Sequence, residues 1–448
     1  MLSTRSDNQA IQPPALAAAG TRRRRLSFRH LWRAATSKSV LTMMDQVIYS
    51  ASNFLTAVIV ARTATAQDFG LYFLGLRLTD YLREVENVLI WTPYTVFSPR
   101  LQGVERARYT GSTFIHQLSF SSVGALLFIL AGILLSLFSQ PGQITSAMWS
   151  LAFVAAMVPL QEYSRRICFA NFQTQAVIML DGVVTLLQLC GLALLVSVGM
   201  MSVNNAYWVI GAANCFAALC WLVWARRSLE VVGKQVRADF QRNFALGKWL
   251  LGGNLTQLVG QQFFPWSLNA WHGAVATGIY AACEGVINFI RAFMISVQNF
   301  LGPRLAHAWA RGGTVELRQV VRRTTLLLGL IVGMLCVLVA VAGGGLVKLL
   351  YGGQYAGLHR IVALLAANIF VQAITTSHAY ALSTMERPEV NFKINLIGLV
   401  LTATAGLVAV KAFGTVGAAF GLLTSTIVVA LLRYAAFARL SGSGVTQQ

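Results

Sequence analysis

Acidic side chains are scarce in this sequence, with 15 Asp and Glu among 448 residues against 35 Lys and Arg. Charged residues together reach only 11%, where a soluble protein carries about a quarter, and this argues against a water-soluble enzyme. Cysteine is sparse and dispersed. Cys168, Cys190, Cys215, Cys220, Cys283 and Cys336 stand singly in apolar stretches without CxxC spacing, as small buried hydrophobes do, and not as a disulfide framework or zinc site. The six histidines show no ligand spacing, so no metal is expected. No GxxxxGK[ST] occurs: Gly233-Lys234 and Gly247-Lys248 lack both the spacing and the hydroxyl residue, and Gly343-Gly344-Gly345 has no dinucleotide context. No cofactor is expected.

What is abundant is hydrocarbon. The chain is 56% hydrophobic with a mean hydropathy of +0.62. A helix needs about 20 apolar residues to cross a bilayer. Twelve stretches meet that need, at 39–61, 70–97, 117–138, 145–162, 178–198, 205–225, 243–266, 274–300, 321–342, 358–382, 390–411 and 414–437. The first 38 residues hold Arg22, Arg23, Arg24 and Arg25 but no apolar core of signal-peptide length, and read as a basic cytoplasmic tail on anionic headgroups. With the N-terminus inside, the inner segments hold about 27 of the Lys and Arg, the outer loops about 4 and the spans about 4. The inner set includes Arg100, Arg106, Arg108, Arg165, Arg166, Arg226, Arg227, Lys234 and Arg237; the outer set is Arg62, Lys348, Arg360 and Lys411. The net charge of +20 is thus a topology signal and implies no nucleic-acid partner. Both termini are expected in the cytoplasm. No outer loop exceeds about 20 residues, which leaves no room for an external catalytic domain, and no catalytic residue is assigned.

The loop at 226–242 divides the spans six and six. At an offset of 208 the halves match without gaps: Gln46 and Asn53 fall on Asn254 and Gln261, Gly70-Leu71-Tyr72 on Gly278-Ile279-Tyr280, and Tyr81-Leu82-Arg83 on Phe289-Ile290-Arg291. Pro99-Arg100-Leu101 returns a few residues early as Pro303-Arg304-Leu305. An even number of spans per half gives a parallel repeat. The expected fold is all-α: a polytopic membrane protein of twelve transmembrane helices in two pseudo-symmetric six-helix bundles, 39–232 and 233–448, behind the tail 1–38.

Span two carries Arg77, Asp80, Arg83, Glu84 and Glu86, although each intramembrane charge costs at least about 2.5 kcal/mol unless wetted or paired. Leu71, Leu74, Leu78, Leu82, Val85 and Leu89 form one apolar stripe. Arg77, Asp80 and Glu84 share another arc. Span eight repeats the pattern with Glu284, Asn288 and Arg291. Amides line up as Asn254, Gln257 and Gln261 in span seven and Gln46 and Asn53 in span one. Two readings fit. Either these groups are salt bridges and amide glue between helices, or they are the polar wall of a solvated cavity suited to sugar hydroxyls. Asp45 and Asp181 likewise fit a structural carboxylate or a proton or sodium site.

At "ARTATAQDFGLYFLG" after span one, "SPRL" after span two and "LVKLLYGGQYAGLHRIVALL" before span ten, the sequence resembles Wzx-type polysaccharide flippases. These belong to the multidrug/oligosaccharidyl-lipid/polysaccharide (MOP) exporter superfamily. The resemblance implies a MATE-like architecture and the movement of a polyprenyl-pyrophosphate-linked oligosaccharide to the outer leaflet for O-antigen, capsule or exopolysaccharide export. It also implies a cationic central cavity, for which Arg77, Arg83, Lys248 and Arg291 are the available positions, with Asp45, Asp80, Glu84, Asp181 and Glu284 as charge partners or ion-coupling groups. Membrane lipids, a polysaccharide polymerase and other export machinery are the implied partners. A MATE-type drug/cation antiporter is the nearest alternative, but arginines in the cavity disfavour cationic drugs. A membrane enzyme or a scaffold of the same pathway is the other. Reporter fusions after residues 38, 110, 235, 312 and 448 are expected to read cytoplasmic and those near 140, 202 and 350 external; an external C-terminus overturns the two-bundle plan.

Overall fold

The computed structural model describes residues 38–138, 142–226 and 229–443, so the arginine-rich tail lies outside the described residues except for Lys38. The first six helices are α1 (Lys38–Thr63), α2 (66–97), α3 (Gly103–Phe138), α4 (Gln143–Ala170), α5 (Thr174–Ser197) and α6 (Val203–Ala225). Helix α2 contains a π turn at Asn87–Trp91, two residues before Pro93, where the missing N–H loosens the α ladder. A helical run from Gly233 to Tyr351 follows, broken by non-helical backbone at Gly273, Gly312 and Gly313 into α7 (233–272), α8 (274–311) and α9 (314–351). Gly273 and Gly313 have φ of 75° and 55°, a region that only glycine enters without strain, so the chain can turn there without a loop. Then come α10 (His359–Thr384), α11 (388–413, with a π turn at Thr402–Gly406) and, past Gly414 at φ 56°, α12 (415–443).

These are the twelve expected rods. Eight helical stretches are long and apolar enough to cross a membrane, and three of them, Leu258–Ile295, Leu301–Tyr351 and Glu389–Gly442, run through glycine breaks into a second rod. Helices α1 and α2 are not among the eight, and α2 carries six charges, Asp68, Arg77, Asp80, Arg83, Glu84 and Glu86, which lower its hydropathy. The rods overrun the apolar windows: α3 starts at Gly103 and α4 ends at Ala170. Arg106, Arg108, Arg165 and Arg166, expected in loops, are therefore helical, since hydropathy sees only the apolar middle of a longer helix.

The bundles are joined at one end. Gly70 on α2 abuts the carbonyl of Ala274 on α8, and Gly278 on α8 abuts that of Ala66 on α2, so that a Cβ at either position would collide with backbone. This two-fold clasp is strapped on both sides. Arg62 donates to the carbonyls of Leu349 and Leu350 at the end of α9, at 2.8 Å from Nε to Leu350. In return Gln354 donates to the carbonyl of Ala61 at 2.9 Å, near the end of α1. Each side chain thus satisfies carbonyls left over at the other bundle's helix C-terminus, where a cation also suits the helix dipole. One apolar core unites both bundles here, with Phe69 of α2 against Tyr351 and Tyr355 and Tyr72 stacked between Phe69 and Tyr207.

At the opposite end the cores are separate. One holds Trp91, Tyr94, Tyr109, Tyr163 and Trp221 of the first bundle; the other holds Leu301, Leu305, Leu317 and Phe437 of the second. Helix α7 begins against the first bundle, where Tyr109 donates to Asn243 at 2.8 Å and Arg242 lies over the Phe97 ring, before crossing to the second. The bundles thus share one core at one end and keep separate cores at the other, and polar side chains of α2, α7 and α8 meet between them.

Valine at Gly70 or Gly278 is expected to keep the sealed end from closing, because overpacking costs about 1–3 kcal/mol and here meets unyielding backbone. In a single-cysteine chain carrying Ala66→Cys, either valine variant should raise labelling by a membrane-impermeant thiol reagent from the sealed side. Unchanged labelling would show that the clasp is not the seal.

Candidate functional site

The charges of α2 and α8 meet across the gap between the bundles. Arg77 donates from Nη1 to Asp80 Oδ2 and from Nη2 to Glu284 Oε2, both at 3.1 Å, with its guanidinium over the Phe73 ring. Glu284 also accepts from Arg291 at 2.8 Å, and Arg291 donates to Asn288 Oδ1 at 3.0 Å. Helix α7 adds two amides: Asn254 donates to Glu84 at 2.6 Å, and buried Gln262 to Asp80 at 3.4 Å. The lattice follows from helical spacing. Positions 77, 80 and 84 share one arc of α2, and 284, 288 and 291 one arc of α8, so turning both arcs inward brings all six residues together.

Three guanidiniums face three carboxylates, so the cavity that the resemblance implies to be cationic is balanced among these residues. The balance is uneven. Arg77 and Arg291 make close ion pairs, whereas Arg83 lies 3.9 Å from Asp80 with 41% of its side chain exposed. Arg83 is thus the least committed guanidinium of the lattice, and Arg291, 40% exposed, the next.

Other expected positions fall elsewhere. Gln46 and Asn53 are exposed on α1, and Gln46 donates to Ser50 within its own helix. Gln261 is exposed, Lys248 is exposed on the part of α7 that begins against the first bundle, and the side chain of Gln257 lies outside the described residues. Asp45 and Asp181 belong to a different cluster. Arg165 on α4 donates from Nη2 to Asp45 of α1 and from Nε to Asp181 of α5, each at 2.6 Å, and from Nη1 to Glu162 at 3.4 Å. Arg165 is 7% exposed and its partners 1%, 2% and 6%, so the pairs are dry. Arg166 adds a 3.0 Å bond to Glu162 and stacks on Trp91. The sequence carried a signal for this: Glu162, Arg165 and Arg166 stand at i, i+3 and i+4, but a window ending at 162 put the arginines in a loop.

Removing one member of a buried ion network leaves charges without partners and costs about 3–5 kcal/mol, whereas removing all of them can be neutral. Arg165→Met is therefore expected to abolish accumulation in the membrane, and adding Asp45→Asn and Asp181→Asn should restore part of it. Quantitative immunoblotting checks both; a well-accumulated single variant overturns the brace.

No family model matches the sequence, and no curated protein matches it. Solved structures do match. An inward-facing multidrug resistance MATE family transporter of the MOP superfamily superposes with a TM-score of 0.74 at 10% identity, over 90% of this chain and 96% of its own. An outward-facing structure described in the same terms gives 0.63 at 10% identity, over 90% and 94%. Lipid II flippase MurJ in an inward closed conformation gives 0.69 at 11% identity, over 89% and 87%. This is a multi-pass membrane protein with the fold of the MOP-superfamily transporters.

Proposed function

We propose that the chain is a flippase, not an enzyme, which carries a polyprenyl-pyrophosphate-linked oligosaccharide from the cytoplasmic to the outer leaflet of a bacterial inner membrane. The observation that carries this reading is the pairing of Arg83 and Arg291, the most open guanidiniums of the cavity lattice, on facing helices of the two bundles. Guanidiniums hold phosphate oxygens through paired hydrogen bonds that lysine reproduces poorly. Asn288 and Asn254 beside them offer amides to sugar hydroxyls. The parted end faces the cytoplasm in this reading, with both termini on that side, and the clasp closes the outer side until substrate is loaded. The likeness to lipid II flippase MurJ supports a lipid-linked cargo on this fold. The product serves surface polysaccharide export, alongside a polymerase and other export machinery. The brace of Asp45, Asp181 and Arg165 supports a structural role for those acids.

A drug/cation antiporter is disfavoured by the placement of the most exposed charges, which are arginines. Deletion of the gene is expected to leave synthesis of the lipid-linked sugar intact while surface polymer disappears; loss of the intermediate itself would favour an enzyme. Arg83→Gln and Arg291→Gln should abolish complementation at normal membrane abundance, and the lysine variants should retain part of it. Full complementation by both Gln variants would overturn the phosphate-binding role.

A further inference from the structure

Glu86 is an acid that neither the cavity lattice nor the brace uses. It lies on α2, three residues past Arg83 and just before the π turn, fully buried and with no hydrogen-bond partner on either carboxylate oxygen. Its charged neighbours are Arg83 on its own helix and Glu162 and Arg166 on α4, and α3 presents Gln117. Glu162 is already committed, because its Oε1 accepts from both Arg165 and Arg166. Gln117 spends its Nε2 on Ser121 at 3.1 Å, and its own Oε1 is buried without a partner.

Three buried acceptor atoms thus lack a full hydrogen bond, beside a second carboxylate. The Gln117 amide is the one neutral donor near Glu86, and it leaves one Glu86 oxygen bare and a second negative charge against Glu162. A single proton resolves both conflicts. Protonated Glu86 can donate to the Gln117 carbonyl and is neutral toward Glu162. Leaving it ionised and unpaired costs several kcal/mol, on the order of a buried charge stripped of its partner. A metal ion would have to enter between the guanidiniums of Arg83 and Arg166. Glu86, Glu162 and Arg83 also line one small cavity with Thr79, Leu82 and Pro159, so the acid and the open guanidinium share a space.

We propose that Glu86 is a proton-binding site that controls the availability of Arg83. With the proton on, Arg83 keeps its guanidinium for a substrate anion. With the proton off, the carboxylate claims Arg83 and competes with that anion. Protonation and anion binding then reinforce each other by linkage. This second half rests on the reading of Arg83 as an anion-binding residue; the first half does not.

The test uses the full chain in lipid nanodiscs. Infrared difference spectra between acidic and alkaline buffer should show the carbonyl stretch of a dehydrated carboxylic acid. The band should be lost in Glu86→Gln, be retained in Glu162→Gln and be indifferent to exchanging potassium for sodium. Because Gln mimics the neutral acid, Glu86→Gln should fold as the parent does. Farnesyl pyrophosphate, as the anion probe, should bind the parent more tightly on the acidic side, with a pH dependence that Glu86→Gln reduces to that of the probe alone. Absence of the band, its survival in Glu86→Gln or its removal by sodium would overturn the proton site. The expected band with no farnesyl pyrophosphate binding, or with the same pH dependence in both proteins, would overturn the control of Arg83 and leave Glu86 as an isolated acid.

Discussion

Arg77 stands between Asp80 of its own helix and Glu284 of the opposite bundle, and this double pairing sets the conditions for the rest of the cavity. A guanidinium does not lose its proton, so inside a bilayer it must be wetted or paired. Here the pairing partner belongs to the other half of the chain. The bundles therefore cannot part along α2 and α8 without either exposing Arg77 to water or giving it an anion. The same holds for Glu284, which is shared by Arg77 and Arg291. Bundle position and site occupancy are thereby coupled through one carboxylate, and no long-range pathway is needed.

The sealed end works by shape where the cavity works by charge. Gly70 and Gly278 let two helix backbones touch, and close backbone contact has only two workable arrangements, packed or apart. The reciprocal bonds of Arg62 and Gln354 are made to carbonyls that helix ends leave unsatisfied, and water can replace them when the ends separate. Such a seal is tight when closed and cheap to open. The flippase proposed above needs both properties.

The twelve rods were legible in the sequence because hydropathy reports chain length in hydrocarbon, and the repeat was legible because Gly70 and Gly278 serve one clasp in two copies. The sequence showed which residues of α2 and α8 were charged but not who paired with whom. Arg77 and Glu284 are 207 residues apart, and their meeting depends on the rotation of two helices that no local pattern fixes. Gln46, Asn53 and Gln261 are exposed and lie outside the bonded lattice, and polar spacing on a helix does not say which exposed face it lines. Arg165 was misplaced for a third reason. A hydropathy window stops at the first charges, although a buried brace is what lets helix α4 carry them inward.

The two bundles repeat in form but not in chemistry. The first holds Asp45, Glu86, Glu162, Arg165 and Asp181 within its interior, all buried. The second buries Asn368, Ser377 and His378, with His378 against Tyr434 and Phe437, and the Thr402–Ser425 pair. Hydroxyls and amides satisfy one another at fixed cost, whereas carboxylates change their charge with a proton. A chain built from two identical rigid halves would have no reason to be asymmetric in this way. Among the described residues, four of the six buried carboxylates, Asp45, Glu86, Glu162 and Asp181, lie in the first half, and Glu284 of the second meets that half through Arg77. Arg77 then marks the border, since its partners Asp80 and Glu284 lie one on each side.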